Sequence, residues 1–286
     1  LGAYVLSMIR GEHQSRGGSS PIIRFILGFF VMIGALIFLG CPLRMILRLG
    51  GGDLNALFGI AGFAGGIGFG TIFLKRGYSL QRTYALSKLE SAIMPAIQVG
   101  LLVLVVTAPA FIFFSQKGPG AMHAPWLISL AAGLVVGGLS QYSRLCTVGG
   151  FRDLFLFKKS VLIFGYIAVL VGVFAVNISF GNFHLGFENQ PVSHTDGLWN
   201  FLGMALAGFC SVLLGGCPLR QLIMTGEGNS DSAVTVLGLA AGAAFAHNFG
   251  LAASGAGPTL NGQIAVGIGF VVALIIAVLN TKRSNA

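Results

Sequence analysis

Charge is scarce in this chain. Lys, Arg, Asp and Glu together make up 9% of its 286 residues, far below the quarter or so usual in a soluble globular domain. A water-facing surface cannot be covered at that density, so composition excludes a soluble domain. Acidic side chains are the rarest, 8 Asp and Glu against 17 Lys and Arg. Cysteine is also sparse, at 4 with no CxxC pair, which argues against both a disulfide framework and a thiolate zinc site. There is no His-rich metal constellation and no P-loop, and the glycine-rich stretch 65–70 follows no strand. Metal, NTP and dinucleotide chemistry are therefore not expected, and neither a cofactor nor an enzymatic activity is indicated.

What fills the chain is apolar. Mean hydropathy is +0.87, with 24 Phe and 44 Gly, a mixture suited to tightly crossed helices in lipid. The expected fold class is all-α, a single polytopic transmembrane domain over 1–286 with about eight to nine crossings and short re-entrant helices. Runs of about 20 apolar residues place spans near 21–40, 54–74, 91–115, 126–145, 160–181, 198–215, 232–250 and 262–280. The loops with Arg10, Arg16 and Arg24, with Lys75, Arg76, Arg82 and Lys88, and with Arg144, Arg152, Lys158 and Lys159 are basic, as is the tail with Lys282 and Arg283. The loop 182–197 holds Glu188 and Asp196 but no Lys or Arg. By the positive-inside rule the basic loops and the C-terminus are cytoplasmic and 182–197 is outside. The net charge of +9 is thus a topology signal with a secondary attraction for anions, and no nucleic-acid partner is implied. The opening LGAYVLSMI lacks a methionine and precedes its charges, unlike a signal peptide, and it reads as part of a longer protein.

The pentapeptide GCPLR occurs twice, at 40–44 and at 216–220, each time at the end of an apolar run. Five crossings separate the copies, and an odd number turns the second copy over relative to the first, giving repeat halves of approximately 20–150 and 151–280. The likeness extends into GGGDLNALFGIAGFAGGIGFG and GEGNSDSAVTVLGLAAGAAFAHNFG, with a few residues inserted. Inverted repeats with broken helices are a transporter architecture whose substrate site lies near the midplane.

Proline is favoured at the first position of a helix, so Cys41 and Cys217 are expected at N-caps, each after a flexible glycine, Gly40 or Gly216. There a thiol meets unpaired backbone N–H groups at the positive end of a helix. Arg44 and Arg220 follow within one turn, either as anion-attracting charges or as snorkelling topology anchors. SRLCTVGGFRD repeats the theme, with Arg144 two residues before Cys146. Cys210, about two turns before Cys217, has no arginine of its own and extends the path or fills space. His247, Asn248 and Asn177 line a path or make contacts between helices.

With these motifs, GCPLR, SRLCTVGGFRDL and the second GCPLR, the sequence resembles the YeeE/YedE family of bacterial inner-membrane proteins, implicated in uptake of thiosulfate and related sulfur compounds. It is more similar to the YedE branch, which is associated with selenium metabolism. The resemblance implies cysteines near the membrane centre, matched here by Cys41, Cys146 and Cys217, that contact a small sulfur or selenium anion in succession. Protonated thiols suit that role, because a thiolate would repel the anion whereas an S–H can donate to its terminal sulfur. Two other readings stay open: a sulfur- or selenium-transfer protein carrying a persulfide or selenide on cysteine, with a soluble sulfur-carrier or selenium-metabolism partner, and a channel for another small anion.

Overall fold

The computed structural model describes residues 1–108, 110–113, 116, 121, 124–159 and 161–281. The basic tail with Lys282 and Arg283, and the ends of the expected spans at 114–115 and 160, lie outside the described residues. Along the chain run α1 (Gly2–Ile9), β1 (Arg16–Gly17), α2 (Pro21–Phe38), α3 (Pro42–Gly50), α4 (Asn55–Lys75), β2 (Tyr84–Ala85), α5 (Lys88–Thr107), α6 (Trp126–Tyr142), α7 (Thr147–Phe157), α8 (Leu162–Ser179), α9 (Gly197–Leu214), α10 (Pro218–Gly226), α11 (Ser230–Asn248) and α12 (Leu260–Leu279). The all-α polytopic architecture is borne out: among the described residues, seven helical segments are long and apolar enough to cross a membrane. The expected span 232–250 forms α11, but this helix is not among those seven. Ser230, Asp231, Ser232, Thr235, His247 and Asn248 dilute its hydropathy. α5 stops at Thr107, before the expected 115, with Ala108 in the left-handed region at φ 40°. The two-residue pairing of β1 with β2 was not expected either.

Local chemistry accounts for the helix ends. Pro21 and Pro42 occupy first-turn positions of α2 and α3, where a missing N–H costs nothing. Side-chain oxygens cap α5, α9 and α12: Ser87 accepts from the Glu90 N–H, Asp196 from that of Trp199 and Thr259 from that of Gly262. Each ties up a donor that the first turn leaves unpaired.

The chain divides into two compact units. One comprises Leu1–Ser19, Thr83–Arg144 and Leu222–Ala233. In it α1 packs on α6, with Gly2 against the Leu134 backbone. The other comprises Ser20–Arg82, Leu145–Gln221 and Val234–Ala286. Here α9 is the central element, buried over most of its length between α2 and α4. Large side chains such as Val161, Phe164, Val171 and Val176 of α8 and its flank remain exposed, the favourable arrangement when the solvent is hydrocarbon.

The internal repeat proves more regular than the sequence suggests, because no residues are inserted. Cys41 and Cys217 are 176 positions apart, and so are Gly62 and Gly238, Gly66 and Gly242, and Phe25 and Phe201. A Cβ on Gly62 would strike the Phe201 carbonyl and one on Gly66 the Ala205 carbonyl; a Cβ on Gly238 would strike the Phe25 carbonyl and one on Gly242 the Phe29 carbonyl. The same close approach is thus made twice, α4 on α9 and α11 on α2. Left-handed residues recur at the same spacing, Leu39 at φ 63° with Gly215 at 82°, and Gly52 at 100° with Gly228 at 97°. The segments that cover the ends of α3 and α10 also correspond. His184 and Gly186 donate their N–H groups to Gly51 and Gly52, as Gln14 and Arg16 do to Glu227 and Gly228.

Candidate functional site

Three short helices begin at a cysteine, and two of these sulfurs act as caps. Cys41 takes extended geometry at the N-cap of α3, with φ −76° and ψ 170°, and its sulfur makes no cap hydrogen bond. Cys146 caps α7, its Sγ accepting the Gly149 N–H at 3.3 Å. The Cys217 sulfur accepts the backbone N–H of Arg220 in the first turn of α10. The expectation from Gly-Cys-Pro is therefore borne out in backbone geometry, and Cys146 reaches the same position without a proline.

These elements converge. Cys146 and Cys217 sit in one buried cluster with Tyr166, Met45, Phe63, Ile67 and Met204, and the two thiols are neighbours in it. Thr147 also lies beside the Cys217 sulfur. The Tyr166 hydroxyl lies within electrostatic reach of both Cys217 and Cys41. All four cysteines are free thiols, and Cys41 is the one with partial exposure. Cys210 is fully buried in a different cluster with Leu27, Phe209 and Leu239.

Arg44 leaves the buried layer. It is exposed and lines a cavity of about 570 Å³ with Arg48, Asp53, Asn177, Asn182, His184 and Gln190. Gly40 lets its stem lie back, since a Cβ there would come within 3.0 Å of the arginine side chain; Gly216 does the same under Arg220 at 3.2 Å. The second arginine of the cavity is not free. Arg48 donates to Asp53 at 2.7 Å and to the Ser193 hydroxyl at 2.6 Å, and also to the Phe38 carbonyl. Asp53 is in turn held by Asn55, which reaches the Phe187 carbonyl at 2.7 Å. This network fastens the start of α4 and the loop before α9 to the end of α3. The net positive charge facing the cavity then comes from Arg44, with amide donors around it, a lining suited to an anion.

The remaining expected residues fall elsewhere. Arg144 is mostly exposed and pairs with Glu12 at 3.2 Å; Glu12 also accepts from Gln141 at 2.7 Å. That Gln141 bond, with help from Arg10 and Arg144, holds the Glu12 carboxyl below its ordinary pKa. His247 and Asn248 are exposed, and Asn248 bonds back to Ala244 of its own helix at 2.7 Å. Asn177 donates to the Gly50 carbonyl at 3.3 Å, so it secures the end of α3 as well as lining the cavity. The inward aim of Tyr166, the Arg48–Asp53 pair and the contributions of His184 and Gln190 were not read from the sequence. A lone tyrosine in the apolar 162–179 run and an acid five residues after Arg48 were the signals available.

Residues 142–282 match the profile of a family described as sulphur transport. Over these residues the chain carries the sulphur-transport domain of the YeeE/YedE family. Over 115 residues it is 27% identical to the thiosulfate transporter TsuA of Escherichia coli (strain K12), an alignment covering 37% of this chain and 30% of that protein. Less than a third of the relative is therefore matched. The YeeE/YedE region contains Cys146, Tyr166, Cys210, Cys217 and Arg220; Gly40, Cys41 and Arg44 lie outside it. The constant spacing of 176 links those three to Gly216, Cys217 and Arg220.

Proposed function

We propose that this chain carries a small sulfur-containing anion of the thiosulfate type, or its selenium analogue, across the bacterial inner membrane along a path lined by thiols. The observation that carries the reading is the convergence of helix N-caps: Cys146 and Cys217 share one buried cluster with Tyr166, and Cys41 lies within electrostatic reach of that tyrosine. The sulphur-transport domain supports the substrate class. In this reading the Arg44 cavity attracts the anion, and protonated thiols then pass it inward by S–H contacts to its terminal sulfur, an uncharged carrier avoiding repulsion. Positive helix ends at α3, α7 and α10 offset the cost of holding an anion away from bulk water.

The two copies enter the membrane in opposite directions, with the 182–197 loop outside and the C-terminus cytoplasmic, so that similar caps meet the anion from either side. Alternating exposure of a shared central site is the use such architectures serve. Uptake of radiolabelled thiosulfate into cells lacking their own transporters tests the proposal. Cys217→Ala, at matched membrane expression, is expected to lower uptake by more than about tenfold. Unlabelled selenium compounds that compete would extend the substrate class to selenium. Undiminished uptake by Cys217→Ala would sink the thiol relay, and no uptake by the wild type would sink the thiosulfate assignment.

A further inference from the structure

α8 leaves more than half of its residues exposed, and Tyr166 is the one residue of the helix that is buried, at 9% exposure. Its ring packs edge-on against Phe151 with centroids 5.9 Å apart. The hydroxyl at the end of that ring has no hydrogen-bond partner among the described residues. A buried O–H left unmatched costs free energy that a phenylalanine of the same shape would avoid. Its surroundings suggest a use. α8 packs on α3 and α7, the two helices that begin at Cys41 and Cys146, and the hydroxyl lies within electrostatic reach of Cys41 and Cys217.

A thiosulfate-type anion has two chemically different ends. Its terminal sulfur is soft and is matched by weak S–H donors; its oxygens carry charge and call for O–H or N–H donors. Thiols alone would grip one end and leave the other bare in a dry cluster. We propose that Tyr166 is a substrate-binding residue that donates its hydroxyl to a sulfonyl oxygen of the anion while the thiols hold its sulfur. Tyr166 thereby orients the anion along the path and selects for substrates that bear oxygen at one end and sulfur or selenium at the other. This rests on the transport reading above.

Tyr166→Phe removes the oxygen and keeps the ring, so it separates binding from packing. In the uptake assay the variant is expected to raise KM for thiosulfate about tenfold, which corresponds to ~1.4 kcal/mol, with the melting midpoint of the purified protein no lower than that of the parent. A parallel rise in the thiosulfate concentration that half-protects Cys41 from a maleimide would place the effect in binding. If Tyr166→Phe does not accumulate in the membrane, Tyr166→Gln and Tyr166→Leu serve instead, similar in size but differing in the donor; uptake is expected from Gln in preference to Leu. An unchanged KM in Tyr166→Phe, or equal uptake by Gln and Leu, overturns this assignment alone and leaves the hydroxyl a core filler. Absence of uptake by the wild type overturns the transport reading and this assignment with it.

Discussion

A buried imidazole resists taking a second proton, because burial penalises the charged ring. His194, at 2% exposure, donates Nε2–H to the Ile37 carbonyl at 2.7 Å. Burial holds its pKa below the ordinary 6.5; the Ile37 carbonyl opposes that shift, Arg48 adds to it, and Asp196 and Asp53 oppose it. In the unfolded chain the ring titrates at its ordinary value, so below about pH 6.5 the unfolded state binds more protons and stability falls with pH. The melting midpoint of the detergent-purified protein is expected to drop between about pH 7.5 and about pH 5.5, and His194→Gln to shallow that drop. Equal slopes for the two proteins would show that His194 is not its source. The same scale explains what the sequence made legible. Gly-Cys-Pro is a local signal, in which proline dictates the first turn and cysteine falls at the cap, so Cys41 and Cys217 were found without any knowledge of packing. Tyr166 was not, because an aromatic in an apolar run has the same local chemistry whether its face meets lipid or a cluster of thiols.

At the scale of elements, α3 and α10 are equivalent in backbone and different in how their ends are secured. Arg48 and Asp53 form an ion pair buried to 5% and 3% side-chain exposure; the positions 176 further on hold Met224 and Asn229. Acid and amide have changed places between the copies: Asp53 and Asn55 correspond to Asn229 and Asp231, and Asp231 accepts the N–H groups of Gly18 and Ser19. The second copy shows that this helix can end without an arginine, whereas removing one partner of a buried pair strands the other charge. Arg48→Met alone is therefore expected to destabilise the protein by about 3–5 kcal/mol. The double variant Arg48→Met/Asp53→Asn is expected to recover most of that loss in chemical denaturation. A double variant no better than the single one would mean that the bonds to Phe38 and Ser193 matter more than the charges. Spans were legible from hydropathy because lipid solvation acts along the whole helix. The end network was not, since Arg48 meets Ser193 and Asn55 meets Phe187 across some 130–145 positions, beyond any local pattern.

For the molecule as a whole, the paired covering segments give the inverted arrangement a direct test. His184 and Gln14 occupy equivalent places, each donating its N–H to the end of a short helix, at Gly51 and Glu227 respectively, and both side chains are exposed. A repeat related by translation would put them on one face of the membrane. Five long helices, α4, α5, α6, α8 and α9, lie between α3 and α10, and if each crosses, the second copy is turned over and the two residues face opposite sides. The acid-bearing 182–197 loop would then be external and the basic 10–24 segment internal, as charge asymmetry favours. In intact cells a membrane-impermeant maleimide is expected to label His184→Cys, and to label Gln14→Cys only after permeabilisation, with the parent chain as the background for its own four thiols. Labelling of both from outside would make the repeat a parallel one. The two cysteine caps would then lie at the same membrane depth facing the same way, and a path entered through one copy and left through the other would lose its geometric basis.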